Sequence, residues 1–138
     1  MKSSLTLSLP AGLVILLLAG CGSSDPMGKV TGKVTFKGTP VTEGTITFEN
    51  VEQGGIAAGE LQSDGTYSLY CPQGGLKPGD YKVAVTPPVV EGSSNGRTAS
   101  SVVPKEAKDI PKKYRDGKTS GLVASVKDGK NQFDFDMN

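Results

Sequence analysis

Apolar and polar residues alternate along most of the chain from residue 29 onward. In the first such segment Val30, Val34 and Phe36 fall on one face, while lysines and threonines fall on the other. A period of two is typical of a β-strand with one buried face. The same pattern, interrupted by turn sequences, predicts seven strands at residues 29–36, 45–48, 56–61, 66–70, 81–85, 122–126 and 132–137.

Turn sequences separate the predicted strands at fairly regular intervals. The chain holds 19 glycines and 9 prolines, and Asp64-Gly65 and Asp128-Gly129 suit tight turns because both residue types tolerate positive φ. Seven short strands with such spacing predict an all-β domain over residues 29–138. Its expected architecture is a seven-stranded antiparallel Greek-key β-sandwich, with no helix of three turns in the domain.

The alternation lapses between Pro87 and Gly121, a stretch that includes four prolines. A loop of this length in a compact domain is usually functional, disordered, or wrongly interpreted as a loop. We expect an extended excursion over residues 87–121 with a mobile middle at Glu91–Ser101. Ile110 and Tyr114 are expected to hold its far end against the core. Loops on a rigid sandwich commonly carry binding sites, so this excursion is the predicted contact surface.

The N-terminus has the three parts of a signal peptide. Lys2 supplies the positive start, Leu13–Leu18 the apolar centre, and Ala19-Gly20 the small residues before Cys21. A transmembrane helix needs roughly 20 apolar residues, whereas the uninterrupted apolar stretch after Pro10 is half that length. An ordinary secretory signal that happens to precede a cysteine is the other alternative.

The residues Leu18-Ala19-Gly20-Cys21 resemble the lipobox of bacterial lipoproteins. The resemblance implies a cleaved signal helix at residues 1–20, acylation of Cys21, and a lipidated flexible tether over residues 21–28. The partner it implies is a membrane, reached through the N-terminal lipid. Gly22 follows the cysteine where an aspartate would favour inner-membrane retention in enteric bacteria, so the resemblance favours the outer membrane.

The composition of the chain after the predicted signal limits the partners and the catalytic chemistry that it can have. Loss of Lys2 with the signal takes the 15 lysines and arginines to 14, which equals the 14 aspartates and glutamates. A balanced charge gives no electrostatic reason to expect nucleic acid as a partner. The chain has no histidine, the commonest general base and metal ligand, and no tryptophan. With Cys21 acylated, Cys71 has no intramolecular partner, and a small buried apolar role is favoured over a reactive thiol.

Several segments resemble the carboxypeptidase regulatory-like, transthyretin-like β-sandwich. They are Gly28–Val41, Gly44–Phe48, Asp64–Tyr67 and Leu76–Val83. The tail from Ile110 to Asp136 is similar to small predicted lipoproteins of planctomycete-type bacteria. The resemblance implies the fold but no single activity, because similar sandwiches host unrelated functions. Hydrolases of 5-hydroxyisourate and intradiol dioxygenases share the architecture, but both depend on histidines that this chain lacks.

Two groups of side chains are candidate sites. Asp134 and Asp136 share a strand face about 7 Å apart, as in a paired-carboxylate or calcium site, but solvated outward positions beside inward phenylalanines are the favoured explanation. The second group lies in a basic stretch that could contact anionic polymers or lipid headgroups, or could be a solvated loop. Its candidate binding residues are Lys105, Lys108, Lys112, Lys113, Tyr114 and Arg115.

These observations predict a non-catalytic, membrane-anchored lipoprotein that binds or braces another component of the cell envelope. We expect no cofactor and no metal, and a protein or glycan of the envelope as partner. One alternative is an accessory subunit of an envelope transport or secretion complex. Another is an enzyme that uses an unrecognised carboxylate site. The sequence leaves the oligomeric state open.

Overall fold

The computed structural model describes residues 27–92 and 101–138 of the protein. The predicted signal at residues 1–20, the acylation site Cys21 and residues 93–100 of the excursion lie outside these described residues. Within them the chain is all-β, as predicted. The strands are β1 (Gly28–Phe36), β2 (Thr39–Pro40), β3 (Thr45–Asn50), β4 (Gly55–Glu60), β5 (Thr66–Ser68), β6 (Gly79–Thr86), β7 (Val89–Gly92), β8 (Ser101–Pro104), β9 (Leu122–Val126), β10 (Gly129–Gln132) and β11 (Phe135–Met137), with one short 3-10 helix at Lys112–Arg115.

The main strands form two sheets. In the first sheet β1 pairs with β2 and β5 along one edge and with β10 and β11 along the other. The second sheet has the order β4-β3-β6-β9, and all of its pairs are antiparallel. Strands β7 and β8 form a separate two-stranded ribbon. A strand overlaps each of the seven predicted segments, but the last segment, 132–137, is strand only at Gln132, where β10 ends, and over Phe135–Met137 in β11.

The core lies between the two sheets, in a β-sandwich-like arrangement. Phe48 is fully buried at its centre, and four aromatic rings have their centroids 6.1–6.5 Å from its ring. The inward residues of β1, β3 and β6 alternate with exposed ones, as the period of two requires. The four rings around Phe48 belong to Tyr67, Tyr81, Phe133 and Phe135.

The expectation of a wholly antiparallel sandwich is wrong at the last strand. Both β10 and β11 run parallel to β1, with Lys130 opposite Lys29 and Phe135 opposite Val34. The cause is the path of the chain after β9, which ends at Val126 close to Gly28, where β1 begins. The chain therefore crosses to the first sheet at the end where β1 starts, and it must run in the same direction as β1.

A carbonyl group that turns into the core separates β10 from β11. The Phe133 carbonyl oxygen accepts a hydrogen bond of 2.7 Å from the Tyr67 hydroxyl. It lies over Gly32, where a β-carbon would come within 2.7 Å of the Phe133 carbonyl carbon. The missing side chain at Gly32 is what allows this close approach.

The excursion at residues 87–121 is not a continuous loop, contrary to the expectation. Runs of β-branched valine favour strands, and here they form the β7–β8 ribbon, in which Val90 lies opposite Val103. The middle of the excursion, residues 93–100, lies outside the part of the chain that the structure describes. Burial of Ile110 and Tyr114 against the core is confirmed.

The strand directions give the sandwich two distinct ends. We call the end where Met27 enters the N-terminal pole; it comprises residues 27–29, 51–56, 70–78 and 127–131. Gly75 packs against Met27, and the Gly129 amide donates to the Met27 carbonyl at 3.2 Å. The distal pole holds the turns at residues 37–44 and 61–65, the excursion as far as Arg115, and the C-terminus. The last part of the excursion runs back along β6, where Gly117 packs on Lys82 and the Ser120 hydroxyl donates to the Val83 carbonyl. The nine residues of β1 place the poles about 26 Å apart at about 3.3 Å per residue.

Candidate functional site

The predicted binding stretch lies at the distal pole, where Ile110 fixes it to the sandwich. Ile110 is fully buried, and its Cδ1 atom lies 3.1 Å from the position that a β-carbon would take at Gly44. Gly44 has φ +128°, a backbone conformation that L-residues with side chains rarely adopt. The turn before β3 therefore leaves room for the Ile110 side chain, because Gly44 has no side chain of its own.

Tyr114 ties the excursion to the C-terminus. Its side chain is buried, and its hydroxyl oxygen accepts a hydrogen bond of 3.1 Å from the Asn138 amide. That bond, together with the neighbouring Lys113 ammonium, lowers the pKa of Tyr114. The Lys113 Nζ atom lies 4.6 Å from the centroid of the tyrosine ring, within the range of a cation–π contact. Both residues therefore have structural partners inside the domain.

Arg115 and Lys105 also have partners in the domain. The Arg115 guanidinium donates to the carbonyls of Ile110 at 2.9 Å and Ala107 at 3.1 Å. These two bonds hold residues 107–115 together as a closed loop. Lys105 Nζ lies 2.6 Å from the Glu43 carboxylate. Both partners of this pair are about half exposed, so it contributes little stability.

Lys108 and Lys112 are the two predicted binding residues that are exposed and donate no side-chain hydrogen bond among the described residues. They lie on either side of the buried Ile110, at the outer surface of the distal pole. The structure thus brings all six predicted residues to one pole but directs Tyr114 and Arg115 inward. Binding by any of the six stays a prediction.

The β7–β8 ribbon exposes apolar side chains that the sequence interpretation missed, Val90 and Val103 on one face and Val89 and Val102 on the other. Four of its valines are exposed, at 64% for Val89, 43% for Val90, 61% for Val102 and 40% for Val103. An isolated two-stranded ribbon is only marginally stable in water, so such a surface favours a partner that covers it. The sequence feature that could have predicted this ribbon is its two pairs of adjacent valines, Val89-Val90 and Val102-Val103, each next to a proline.

The two candidate carboxylates bond to the first sheet. The Asp134 carboxylate accepts from the Lys33 amide at 2.9 Å. Asp136 accepts from the Thr35 hydroxyl at 2.6 Å and from the Gly38 amide at 2.9 Å. These hydrogen bonds lower the pKa of Asp136, and the bond from the Thr35 hydroxyl has the larger effect. Both side chains face outward, as predicted, and they fix β11 to β1.

Cys71 lies at the N-terminal pole, where two clefts of about 380 Å³ each meet. The thiol is half-buried against the core, and burial raises its pKa. A raised pKa keeps the thiol protonated and unreactive near neutral pH. One cleft is bordered by Ile56 and Tyr81, and the other by Lys29 and Lys130.

Comparison with known proteins identifies no relative. No protein-family model, no curated protein and no solved structure matches this chain. Among the described residues, no three or more histidine, cysteine, aspartate or glutamate side chains are grouped as a metal ion would require. No helix in the described ranges is both long enough and apolar enough to cross a bilayer.

Proposed function

We propose that the protein is a non-catalytic lipoprotein of the cell envelope, anchored through Cys21, that presents its distal pole to an envelope partner. The observation that carries the proposal is the lipobox-like Leu18–Cys21, six residues before the described domain begins at Met27. The membrane we propose is the outer membrane, because Gly22 follows the cysteine.

The distances between the functional regions support this assignment. Met27 enters at one pole, while the valine-bearing ribbon and the basic stretch lie at the other, about 26 Å away along β1. A domain attached at one end can thus expose the other end to a partner. The basic stretch faces away from the attachment point, so we assign it to a partner in the envelope space rather than to the headgroups of its own bilayer.

The proposal of a non-catalytic role has support from the candidate carboxylates. Asp134 and Asp136 accept hydrogen bonds from β1 and its turn, which gives both of them a structural role. The sequence offers no histidine as a general base.

The finer fold assignment is also a proposal: a seven-stranded Greek-key sandwich of the transthyretin-like kind. Its seven members are β1, β3, β4, β5, β6, β9 and the combined β10–β11. In its support, β3 and β4 form a hairpin in one sheet, and β5 then returns to lie beside β1 in the other. A fourth strand that returns beside the first is the feature that defines a Greek key.

The test of the anchor compares the two cysteines. Metabolic labelling with a fatty-acid analogue should mark the wild-type protein and the Cys71→Ser variant, whereas Cys21→Ser should lose the label and leave the membrane fraction. Cys71→Ser is the matched control because it removes the other cysteine of the chain. Retention of the label by Cys21→Ser would refute the lipoprotein assignment.

The test of the distal pole uses the exposed valines. Val89→Thr with Val102→Thr keeps β-branched residues in the ribbon but removes the two most exposed valines, which share one of its faces. We expect this variant to lose the crosslinked partner of the tagged wild-type protein. Val51→Thr with Val123→Thr changes two valines exposed by 72% and 60% elsewhere, and should leave the crosslink unchanged. Equal capture by both variants would rule out the ribbon as the contact.

An accessory subunit of an envelope transport or secretion complex is the second candidate function. The exposed valines favour it, because an apolar ribbon is better suited to a protein partner than to a glycan. A partner that copurifies in fixed stoichiometry from mild detergent would favour the subunit. Capture of glycan alone would instead favour a bracing role.

A further inference from the structure

We propose that the N-terminal pole is a membrane-docking face, which binds anionic lipid headgroups of the bilayer that holds the lipid anchor. This proposal rests on the proposed lipidation of Cys21. It adds an orientation of the domain and a set of residues that contact the bilayer.

The length of chain between Cys21 and Met27 restricts the orientation. Six residues bridge at most about 20 Å even when fully extended, at about 3.3–3.6 Å per residue. The described domain begins at Met27, which packs against Gly75 at the N-terminal pole. The poles are about 26 Å apart along β1 alone. The tether therefore keeps Met27 within about 20 Å of the bilayer, which is too close for the domain to stand inverted on its distal pole.

The charge of the N-terminal pole suits an anionic surface. Its four lysines are all exposed, and none of them forms an ion pair within residues 27–92 and 101–138. Its carboxylates are Glu52 and Asp128, and Asp80 lies beside it in the same cleft as Glu52, so among the described residues the lysines exceed these acids by one. The four lysines are Lys29, Lys77, Lys127 and Lys130.

Two of these lysines lie side by side. Lys29 of β1 and Lys130 of β10 are register partners in the parallel pair, on strands about 4.8 Å apart. Like charges at paired positions repel each other, and neither ammonium has a carboxylate partner among the described residues. Both lysines border the same cleft of about 380 Å³. A headgroup phosphate in this cleft would neutralise the repulsion.

Apolar side chains at the same pole suit the region just below the headgroups. Tyr70 is 75% exposed and borders the cleft that holds Lys29 and Lys130. Ile56 is 68% exposed and borders the adjoining cleft. A tyrosine beside lysines is typical of a membrane interface, where the ring contacts the acyl boundary and the hydroxyl stays hydrated.

The experiment measures which pole touches the bilayer in the lipidated mature chain. The chain carries Cys71→Ser and one fluorescent reporter, at either Gln73→Cys in the N-terminal pole or Ser63→Cys in the distal pole. Both positions are exposed and lie in turns. The protein is reconstituted in vesicles of three parts phosphatidylethanolamine to one part phosphatidylglycerol, with a trace of lipid that carries a spin label on its headgroup. We expect the label to quench the reporter at residue 73 several-fold more than the reporter at residue 63.

The lysine contribution is tested against a matched set. Lys77→Gln, Lys127→Gln and Lys130→Gln together should reduce the quenching at residue 73, and so should raised salt. The control triple Lys37→Gln, Lys108→Gln and Lys112→Gln removes equal charge from the distal pole and should leave the quenching unchanged. Equal effects of the two triples would exclude a specific basic face.

Two failures remain distinguishable. Protein that floats with the vesicles but shows equal quenching at residues 63 and 73 overturns the docking face and leaves the lipid anchor standing. Protein that fails to float, with no acyl group on Cys21, overturns the anchor and the docking face together.

Discussion

Asp136 shows how a side chain suggestive of catalysis can serve the fold. Its carboxylate accepts hydrogen bonds from the Thr35 hydroxyl and the Gly38 amide, which joins β11 to the turn after β1. The outward direction of Asp136 follows from strand alternation and is predictable. Its partners are about 100 positions away along the chain, and no local pattern could identify them.

The lowered pKa of Asp136 predicts a pH dependence of stability. Because the folded state binds the proton less readily than the unfolded state, the carboxylate stabilises the fold above its unfolded pKa near 4. This contribution disappears as the pH falls through the folded pKa. Asp136→Asn should therefore be less stable than wild type at pH 6, with the difference shrinking towards pH 2. Urea unfolding across this pH range measures it.

An exposed carboxylate in the excursion provides the control for Asp136. Glu106→Gln also removes one negative charge, but it takes no hydrogen bond from the sandwich among the described residues. It should leave the pH dependence close to that of wild type. A stability gap for Asp136→Asn that stays constant from pH 6 to pH 2 would contradict the role given to its ionised form.

At the scale of elements, alternation predicted the buried faces of β1, β3, β5, β6, β9 and β11, but it assigned no buried face to β4. It could not predict strand direction, because a period of two looks the same in parallel and antiparallel pairs. The parallel pairing of β10 and β11 with β1 depends instead on where β9 ends. The break between β10 and β11 depends on Gly32, whose missing side chain admits the Phe133 carbonyl.

Gly32 is therefore expected to tolerate no side chain. A β-carbon there would lie 2.8 Å from the Tyr67 hydroxyl oxygen and 2.7 Å from the Phe133 carbonyl carbon. Gly32→Ala should lower the free energy of unfolding by about 1–3 kcal/mol, the usual cost of overpacking. Thr31→Ala, at the exposed neighbouring position, should cost less than 1 kcal/mol. Chemical denaturation compares the two, and equal losses would contradict the close approach at Gly32.

At the scale of the whole molecule, the sandwich separates two surfaces. The N-terminal pole collects Met27, exposed lysines and Tyr70, while the distal pole collects the ribbon and the basic stretch. The lipobox resemblance can be identified from the sequence alone. The separation of the poles cannot, because it depends on which strand ends meet, and pairings such as Gly28 with Gly129 are long-range.

The central claim is that the mature protein begins with an acylated cysteine six residues before the sandwich. Its most direct test is intact and N-terminal peptide mass spectrometry of the protein purified from membranes. We predict that the chain starts at Cys21 and carries the added mass of two or three acyl chains. A chain that starts at any other residue, or a Cys21 without added acyl mass, would contradict the account.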